Sequence, residues 1–187
     1  MAFLVVLDAC VLYPASLRDT LLRLAEAEFY DLYWSNEILD EVRRNLVENA
    51  DATEEQAAKL IEFMDAAFDG ACVSSAQIEA LIPAMGNDVK DRHVLAAAKA
   101  VGAEQIVTSN IKHFTEEHTA PHGIEAITPD EFLLNQLSLD PGLVITTLHR
   151  QPDALSNPPM TLQEVLEALR VVVPDFVTAV EERLVAE

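Results

Sequence analysis

The segment Phe3-Leu4-Val5-Val6-Leu7-Asp8 is a continuous apolar run that ends in a carboxylic acid. A run with β-branched residues and no polar alternation is typical of a strand that is covered on both faces of a parallel sheet. An acid that directly ends a buried strand is either functional or tightly hydrogen-bonded, because an unpaired buried charge is costly. Asp8 is therefore the first candidate site residue.

Strand and helix patterns alternate through the residues that follow. Three more short strands are predicted at residues 32–34, 71–74 and 105–108. Helices are predicted at residues 16–28 with Ser16 as the cap, after the cap Ser35, from the Thr53/Gln56 capping box to about Gly70, and from about Asp91 to Gly102. This alternation predicts an α/β fold with a short central parallel sheet between layers of helices.

The pattern changes after about residue 135. Two proline-bearing breaks, Asp140-Pro141 and Asn157-Pro158-Pro159, separate helical patterns at residues 142–149, 161–169 and 174–184. We therefore predict a domain over residues 1–135 and a C-terminal helical extension over residues 136–187, which is too small to be a clear independent domain.

Bulk composition limits the class of protein. Half of the 187 residues are apolar, so the chain can bury a core. The N-terminal residues carry no basic leader, and no segment reaches the roughly 20 apolar residues that a membrane span needs. The two cysteines make neither a disulfide framework nor a zinc site of the Cys-rich kind. We expect a cytoplasmic protein with no membrane partner.

The formal net charge of −20 argues against a nucleic-acid partner, because phosphate contacts usually come from Lys and Arg. Residues 1–135 nevertheless carry nine basic side chains, and five of these lie within three residues of a candidate site residue. These five are Arg43, Arg44, Lys90, Arg92 and Lys112. These five side chains are either ordinary charges on helix surfaces or a local basic rim around an acidic pocket. An acidic protein of this kind would also suit a basic protein partner.

Four polar residues are placed where the carboxyl edge of the sheet is expected, which is where open parallel sheets bind ligands. Asp8 and Asn110 follow predicted strands, Asp91 begins the Ala-rich helix, and Glu41 lies at the edge of the apolar face of its helix. Taken alone, Asp91 could equally be an acid that stabilises the start of a helix through the helix dipole, and Glu41 could be an ordinary solvated helix residue. Three acids in one cleft would repel each other without a cation, and hard oxygen ligands favour Mg²⁺ or Mn²⁺.

These residues resemble the motifs of PIN-domain nucleases. The matching stretches, in order, are Val6-Leu7-Asp8, Ile38-Leu39-Asp40-Glu41-Val42, Asp88-x-x-Asp91-Arg92-His93-x-Leu95-Ala96-Ala97-Ala98 and Thr108-x-Asn110-x-x-x-Phe114. The resemblance covers about residues 3–135 and is greatest to the VapC-type toxins of bacterial toxin–antitoxin pairs. It implies an Mg²⁺- or Mn²⁺-dependent endoribonuclease that is inhibited by a cognate antitoxin and often forms a homodimer. Carried over by position, it implies that Asp8, Glu41 and Asp91 bind the metal.

The chain departs from the family pattern at two positions. The family commonly has Asn or Ser where Cys10 stands and Asp where His113 stands. Asn110 is the expected polar substitute for the fourth acid and is counted with the catalytic residues. Asp88 either compensates for the lost charge or caps the helix, and His113 is a possible auxiliary residue. The candidate substrate-binding side chains are Arg44, Arg92, His93 and Lys112. The alternative role for Arg92 and His93 is simply to cover the start of the helix.

Other enzymes with a strand-ending Asp or a nearby Cys fail simple motif tests. A haloacid-dehalogenase phosphatase needs a second Asp at the position of Cys10, and a low-molecular-weight tyrosine phosphatase needs Arg at the position of Ser16. A receiver domain needs an Asp after its middle strand, where this chain has Ser74 and Ser75. The alternative that stays open is a PIN fold that has lost catalysis and acts as a binding or regulatory module.

Overall fold

A computed structural model describes residues 3–151 and 160–186 of the chain. The chain forms two compact units. The first comprises the N-terminal residues to Tyr13 together with Tyr30–Ile127, and the second comprises Pro14–Phe29 together with the chain from Thr128 onward. The boundary predicted after residue 135 falls inside a helix, Pro129–Leu139, and the division into two domains there stays a prediction.

The first unit is built on a parallel sheet flanked by helices, as predicted. Its described strands are β1 (Leu4–Leu7), β2 (Asp31–Ser35), β3 (Cys72–Val73), β4 (Gln105–Val107) and β5 (Glu125–Ile127). They lie in the order β3-β2-β1-β4-β5, and every pairing is parallel. The chain therefore moves outward from β1 on one side and later returns to its other side. Ligands bind at such a switch point, beyond the carboxyl ends of β1 and β4.

The helices of the first unit connect these strands. They are α1 (Ala9–Leu12), α3 (Asn36–Glu48), α4 (Glu54–Ala67), α5 (Ser75–Leu81), α6 (Arg92–Val101) and α7 (Glu116–Thr119). Helix α6 packs against β1, β2, β3 and β4. Its five consecutive residues Val94–Ala98 are all buried, and three of them are alanines, whose small side chains let the helix approach the strands closely.

Several predicted helix ends are confirmed by their capping bonds. The Ser35 hydroxyl accepts from the Ile38 amide, and Thr53 and Gln56 form a reciprocal capping box. Gly102 ends α6 in the left-handed region at φ +69°, where glycine has no steric penalty. The expected end of α4 at Gly70 was wrong, because the helix stops at Ala67 with Phe68 as its C-cap.

The second unit consists of helices in its described part. These are α2 (Ala15–Glu26), α8 (Pro129–Leu139), α9 (Pro141–Arg150), α10 (Leu162–Arg170) and α11 (Pro174–Ala186). The predicted Ser16 cap of α2 was wrong, since Pro14 precedes the helix and makes no side-chain capping bond. Ser16 instead accepts bonds at its carbonyl from Thr20 and from the fully buried Gln151. The predicted break at Asn157-Pro158-Pro159 lies outside the described residues.

No helix in the described ranges combines the length and the apolarity needed to cross a membrane.

The turn after α3 carries a backbone strain that can be tested. Ala50 has φ +59°, and the amides of Asp51 and Ala52 donate to the Leu46 carbonyl across it. A left-handed conformation costs a non-glycine residue about 1–2 kcal/mol. We expect Ala50→Gly to raise the free energy of unfolding by about 0.5–1 kcal/mol, measured by urea denaturation. Ala58→Gly, inside α4, is the control and should lower it by about 1 kcal/mol. Equal losses in both variants would contradict this strain.

Candidate active site

Asp8 lies at the carboxyl end of β1, and its carboxylate accepts hydrogen bonds from the Ala9 amide, the Thr108 hydroxyl and the Cys10 thiol. Its side chain is 3% exposed. Oδ1 accepts from the Ala9 amide at 2.7 Å, so Asp8 caps α1, and Oδ2 accepts from the Thr108 hydroxyl at 2.6 Å. Thr108 follows β4, the neighbouring strand. The two strand ends therefore fix the orientation of this carboxylate, as expected of a buried acid.

Cys10 packs against the same carboxylate. Its Sγ lies 3.3 Å from Asp8 Oδ2 and 3.5 Å from Thr108 Oγ1, and it accepts from the Ser109 amide at 3.2 Å. Burial, followed by the negative charge of Asp8, raises the pKa of the Cys10 thiol to about 12. A thiol with this pKa is protonated at neutral pH and does not act as a nucleophile. Cys10 is thus a neutral neighbour of Asp8.

Glu41 extends from the second turn of α3 toward the same region. Burial raises the pKa of its carboxyl above the ordinary value, and the charges of Asp8 and Asp91 raise it further. His93 and Arg44 act in the opposite direction on this pKa. Because these charges influence each other, Glu41 is not the fully solvated helix residue that its sequence position also allowed.

Asp91 lies at the start of α6 as its N-cap residue but makes no side-chain capping bond. Its Oδ2 is 2.8 Å from His113 Nδ1 instead. Burial raises the pKa of the Asp91 carboxyl, the hydrogen bond with His113 opposes this, and the charge of Asp8 raises the pKa again. The carboxylate is therefore directed away from the helix amides and into a group of charged side chains.

An open cleft of about 660 Å³ lies beside these acids. Its described lining residues combine four acids with two cations and four other polar groups, namely Glu37, Asp40, Glu41, Asp91, Arg44, Lys90, Asn45, His93, Asn110 and His113. Acids outnumber cations, so the cleft is a better site for a cation than for a phosphate alone. Asp8 is buried beside the cleft and acts on it through its charge.

Three side chains offer ligand atoms at mutual distances suited to one metal ion. Among the described residues, one oxygen or nitrogen from each of Asp88, Asp91 and His113 lies within 4.8 Å of the others. The predicted trio of Asp8, Glu41 and Asp91 does not meet that distance in the described part of the chain. Those three acids share one region electrostatically, while the tightest donor set is centred on Asp91 and His113.

The structure separates the predicted substrate-binding residues into two groups. Arg44 and His93 line the cleft, and Arg44 donates to Asp40 at 3.1 Å. Arg92 and Lys112 are not among its described lining residues. Arg92 donates to the Asn87 carbonyl at 3.2 Å, and Lys112 lines a separate groove beside α7 and β5. Their proposed contacts with substrate are not supported by this placement.

The two polar substitutes identified from the sequence also have defined positions. Asn110 lines the cleft, and its backbone N–H donates to Thr108 Oγ1 at 3.0 Å. Asp88 does not cap α6 through its side chain, because its Oδ1 accepts from the Lys90 amide at 3.0 Å, one turn before the helix. The expected capping role was therefore wrong, and the compensating role stays a prediction.

Sequence reasoning missed several residues that surround the site. Thr108 was read only as part of a motif, although its hydroxyl orients Asp8. Glu37 and Asp40 lie in the cleft with Glu41 and Arg44. Helical spacing offered a signal for Glu37, which precedes Glu41 by four residues and so shares its face of α3. The hydroxyl contact of Thr108 with Asp8 joins residues 100 positions apart and had no local signal.

Comparisons with known proteins agree with this arrangement. The profile of the family described as "PIN domain" matches residues 4–112, and the one described as "VapC50 C-terminal domain" matches residues 129–182. Over 96 residues the chain is 47% identical to a Mycobacterium tuberculosis protein described as "Putative ribonuclease VapC50". This alignment covers 51% of the chain and 57% of that protein, so the chain spans little more than half the length of this curated relative. No solved structure matches significantly.

The PIN match includes β1 with Asp8, α3 with Glu41, α6 with the preceding Asp91, and β4 with Asn110 after it. It covers more than half of the 187 residues. On this match and on its five-stranded parallel sheet, the chain belongs to the PIN-domain family.

Proposed function

We propose that the chain is a divalent-metal-dependent endoribonuclease and the toxin of a toxin–antitoxin pair. One observation carries the proposal. Asp8, Glu41 and Asp91 come from three separate elements, and the charge of Asp8 raises the pKa of both other carboxyls beside one open cleft. The PIN-domain match and the relative described as a ribonuclease support hydrolysis of RNA as the reaction.

The donor chemistry of the cleft fits a divalent cation. Carboxylate oxygens dominate its lining, and their mutual repulsion is relieved when a cation is bound. His93 Nδ1 is buried without a hydrogen-bond partner among the described residues, although its ring belongs to the lining. A buried polar atom of this kind is commonly satisfied by a bound water or ion. Mg²⁺ or Mn²⁺ would be held by Asp91 and Glu41, with Asp8 acting on the ion through its charge.

Each side chain then has a distinct task. When bound, the ion supplies an acidified water and neutralises charge on the phosphoryl oxygens. Asp8, fixed by Ala9 and Thr108, maintains the negative potential that concentrates the cation. Glu41 and Asp91 would hold the ion and orient a water beside it. Asn110 would hold a water through its side-chain amide without adding charge, and Arg44, Lys90 and His93 would contact substrate phosphate at the rim of the cleft.

Charge also supports the proposed partners. The net charge of −20 disfavours RNA over most of the surface, and RNA binding at the acidic cleft would depend on a bound cation. The same charge favours a basic antitoxin, since opposite potentials accelerate and orient association. We propose this partner, a homodimer and a cytoplasmic location together with the ribonuclease activity. The alternative is a PIN fold without catalysis, which the departures at Cys10 and His113 and the acidic surface favour.

The proposal is tested by incubating labelled RNA with the native chain, with Mg²⁺ or Mn²⁺ and with a chelator. We expect cleavage only with metal and a loss of about 100-fold or more in Asp91→Ala, because a metal ligand matters at least as much as its supporting residues. Glu62→Ala, an exposed acid on α4, is the control. Inducing the native chain alone should arrest bacterial growth, and Asp91→Ala should relieve the arrest. Equal arrest, or no metal-dependent cleavage, would support the non-catalytic alternative.

A further inference from the structure

His113 belongs to the group of three possible metal ligands that lie within 4.8 Å of one another in the described chain. Its Nδ1 is 2.8 Å from Asp91 Oδ2, and one oxygen of Asp88 completes a group within 4.8 Å. We infer that His113 is a direct metal ligand and that this mixed nitrogen and oxygen site binds Mn²⁺ in preference to Mg²⁺. The inference rests on the proposed metal-dependent function and adds the identity of a ligand and of the ion.

The distances agree with two neighbouring ligands on a single ion. Ligands about 2.1 Å from an octahedral ion lie about 3.0 Å apart when adjacent and about 4.2 Å apart when opposite. The separation of 2.8 Å between His113 Nδ1 and Asp91 Oδ2 matches the adjacent case, and the 4.8 Å limit accommodates both. A small outward shift of the two side chains would admit the ion between them.

The surrounding backbone keeps His113 in this position. The residue ends a 3₁₀ turn, Ile111–His113, in which the His113 amide donates to the Asn110 carbonyl at 2.8 Å. The next residue, Phe114, is 2% exposed and anchors the turn in the core. The His113 side chain is 33% exposed, so an ion can reach it from the cleft that it lines.

Asp88 and its neighbour show the remaining features of a ligand site. Asp88 Oδ1 accepts from the Lys90 amide, and one oxygen of the same carboxylate belongs to the donor group. Directly before it, the Asn87 side chain is 3% exposed, and both of its amide atoms lack partners within the described ranges. Buried amides are normally satisfied, often by ordered water, so we expect an ordered water beside Asn87 in this loop.

The donor chemistry decides which ion is favoured. Mg²⁺ prefers oxygen ligands and gives up its water reluctantly, whereas imidazole nitrogen suits first-row transition ions. Mn²⁺ accepts carboxylates and also gains from an imidazole. An aspartate at position 113 would supply a third carboxylate and favour Mg²⁺. Replacing that carboxylate with His113 therefore shifts preference toward Mn²⁺ without removing the site.

The competing explanation is a simple ion pair, in which protonated His113 only orients Asp91. In that case removing the imidazole would affect the two ions equally. The test is calorimetric titration of the native chain, His113→Ala and His113→Asp with MnCl₂ and with MgCl₂. His118→Ala is the matched control, because that imidazole bonds to Thr115 outside the cleft lining.

We expect His113→Ala to weaken Mn²⁺ binding about 10- to 100-fold and Mg²⁺ binding less than about threefold, and we expect His113→Asp to reverse the preference. Pulsed electron paramagnetic resonance should detect nitrogen coupling to Mn²⁺ in the native chain and lose it in His113→Ala. An unchanged Mn²⁺/Mg²⁺ ratio, unchanged nitrogen coupling or no metal binding by the native chain would overturn the inference. RNA left intact by a chain that binds Mn²⁺ through His113 would overturn only the ribonuclease proposal.

Discussion

Replacing Asp8 with asparagine is expected to lower the rate of RNA cleavage by more than about 100-fold while the fold is retained. Asparagine has the same shape and keeps an oxygen for the Ala9 amide, and its NH₂ can donate to the Thr108 oxygen. The variant removes one negative charge and little else. Because that charge acts on both Glu41 and Asp91, its loss weakens the potential that concentrates the cation.

The measurement is the initial rate of cleavage at a metal concentration below saturation of the native chain, with thermal unfolding as the check on folding. Asp31→Asn is the matched control, since Asp31 is an exposed acid on the neighbouring strand β2. We expect this control to cleave RNA at the native rate. Cleavage by Asp8→Asn within about threefold of the native rate would contradict the role assigned to Asp8.

Glu41→Gln is expected to change activity and stability in opposite directions. Burial and the charges of Asp8 and Asp91 raise the pKa of Glu41 above its ordinary value of 4.5. A raised pKa means that the folded state binds this proton more tightly than the unfolded state does. Stability therefore falls as pH rises above 4.5 through the raised folded pKa, and the full cost is present at neutral pH. Glutamine removes that cost.

The metal-free variant should consequently unfold at a higher temperature than the native chain at pH 7, with a smaller difference near pH 4. Its RNA cleavage should fall by about 100-fold, because a ligand for the ion is lost. Added Mn²⁺ should reverse the order of stability, since an ion at 100 times its dissociation constant stabilises the native chain by about 2.7 kcal/mol. Glu62→Gln on α4 should show neither effect. A Glu41→Gln variant that is less stable than the native chain at pH 7 would contradict the crowding of these acids.

The parts of the fold that the sequence predicted are those with strong local signals. The run before Asp8 indicated β1, the Thr53 pattern indicated a capping box, and Gly102 indicated the end of α6. β5 was missed because its three residues include Glu125 and one partly exposed alanine, and it becomes a strand only by pairing with β4. Grouping α2 with the C-terminal helices likewise depends on contacts between distant parts of the chain.

Some residues of the candidate site were also predicted from the sequence, whereas some of its contacts were not. Asp8, Glu41, Asp91 and Asn110 were identified from sequence order, and the structure places them in or beside one cleft. The contact between His113 and Asp91 spans 22 residues and depends on a 3₁₀ turn that no pattern indicated. Lys112 precedes His113 but lines a different groove, because successive residues of that turn project in different directions. The position of Lys112 near Asn110 in the sequence therefore did not predict whether its side chain lies at the rim of the cleft.

We propose that Glu41 and Asp91 hold a divalent ion whose binding depends on the charge of Asp8. Calorimetric titration of MnCl₂ into the metal-free native chain and into Asp8→Asn, under identical conditions, measures this dependence. We expect saturable binding by the native chain and an affinity at least about 10-fold weaker in the variant. Indistinguishable titrations of the two proteins, or no binding by the native chain, would contradict it.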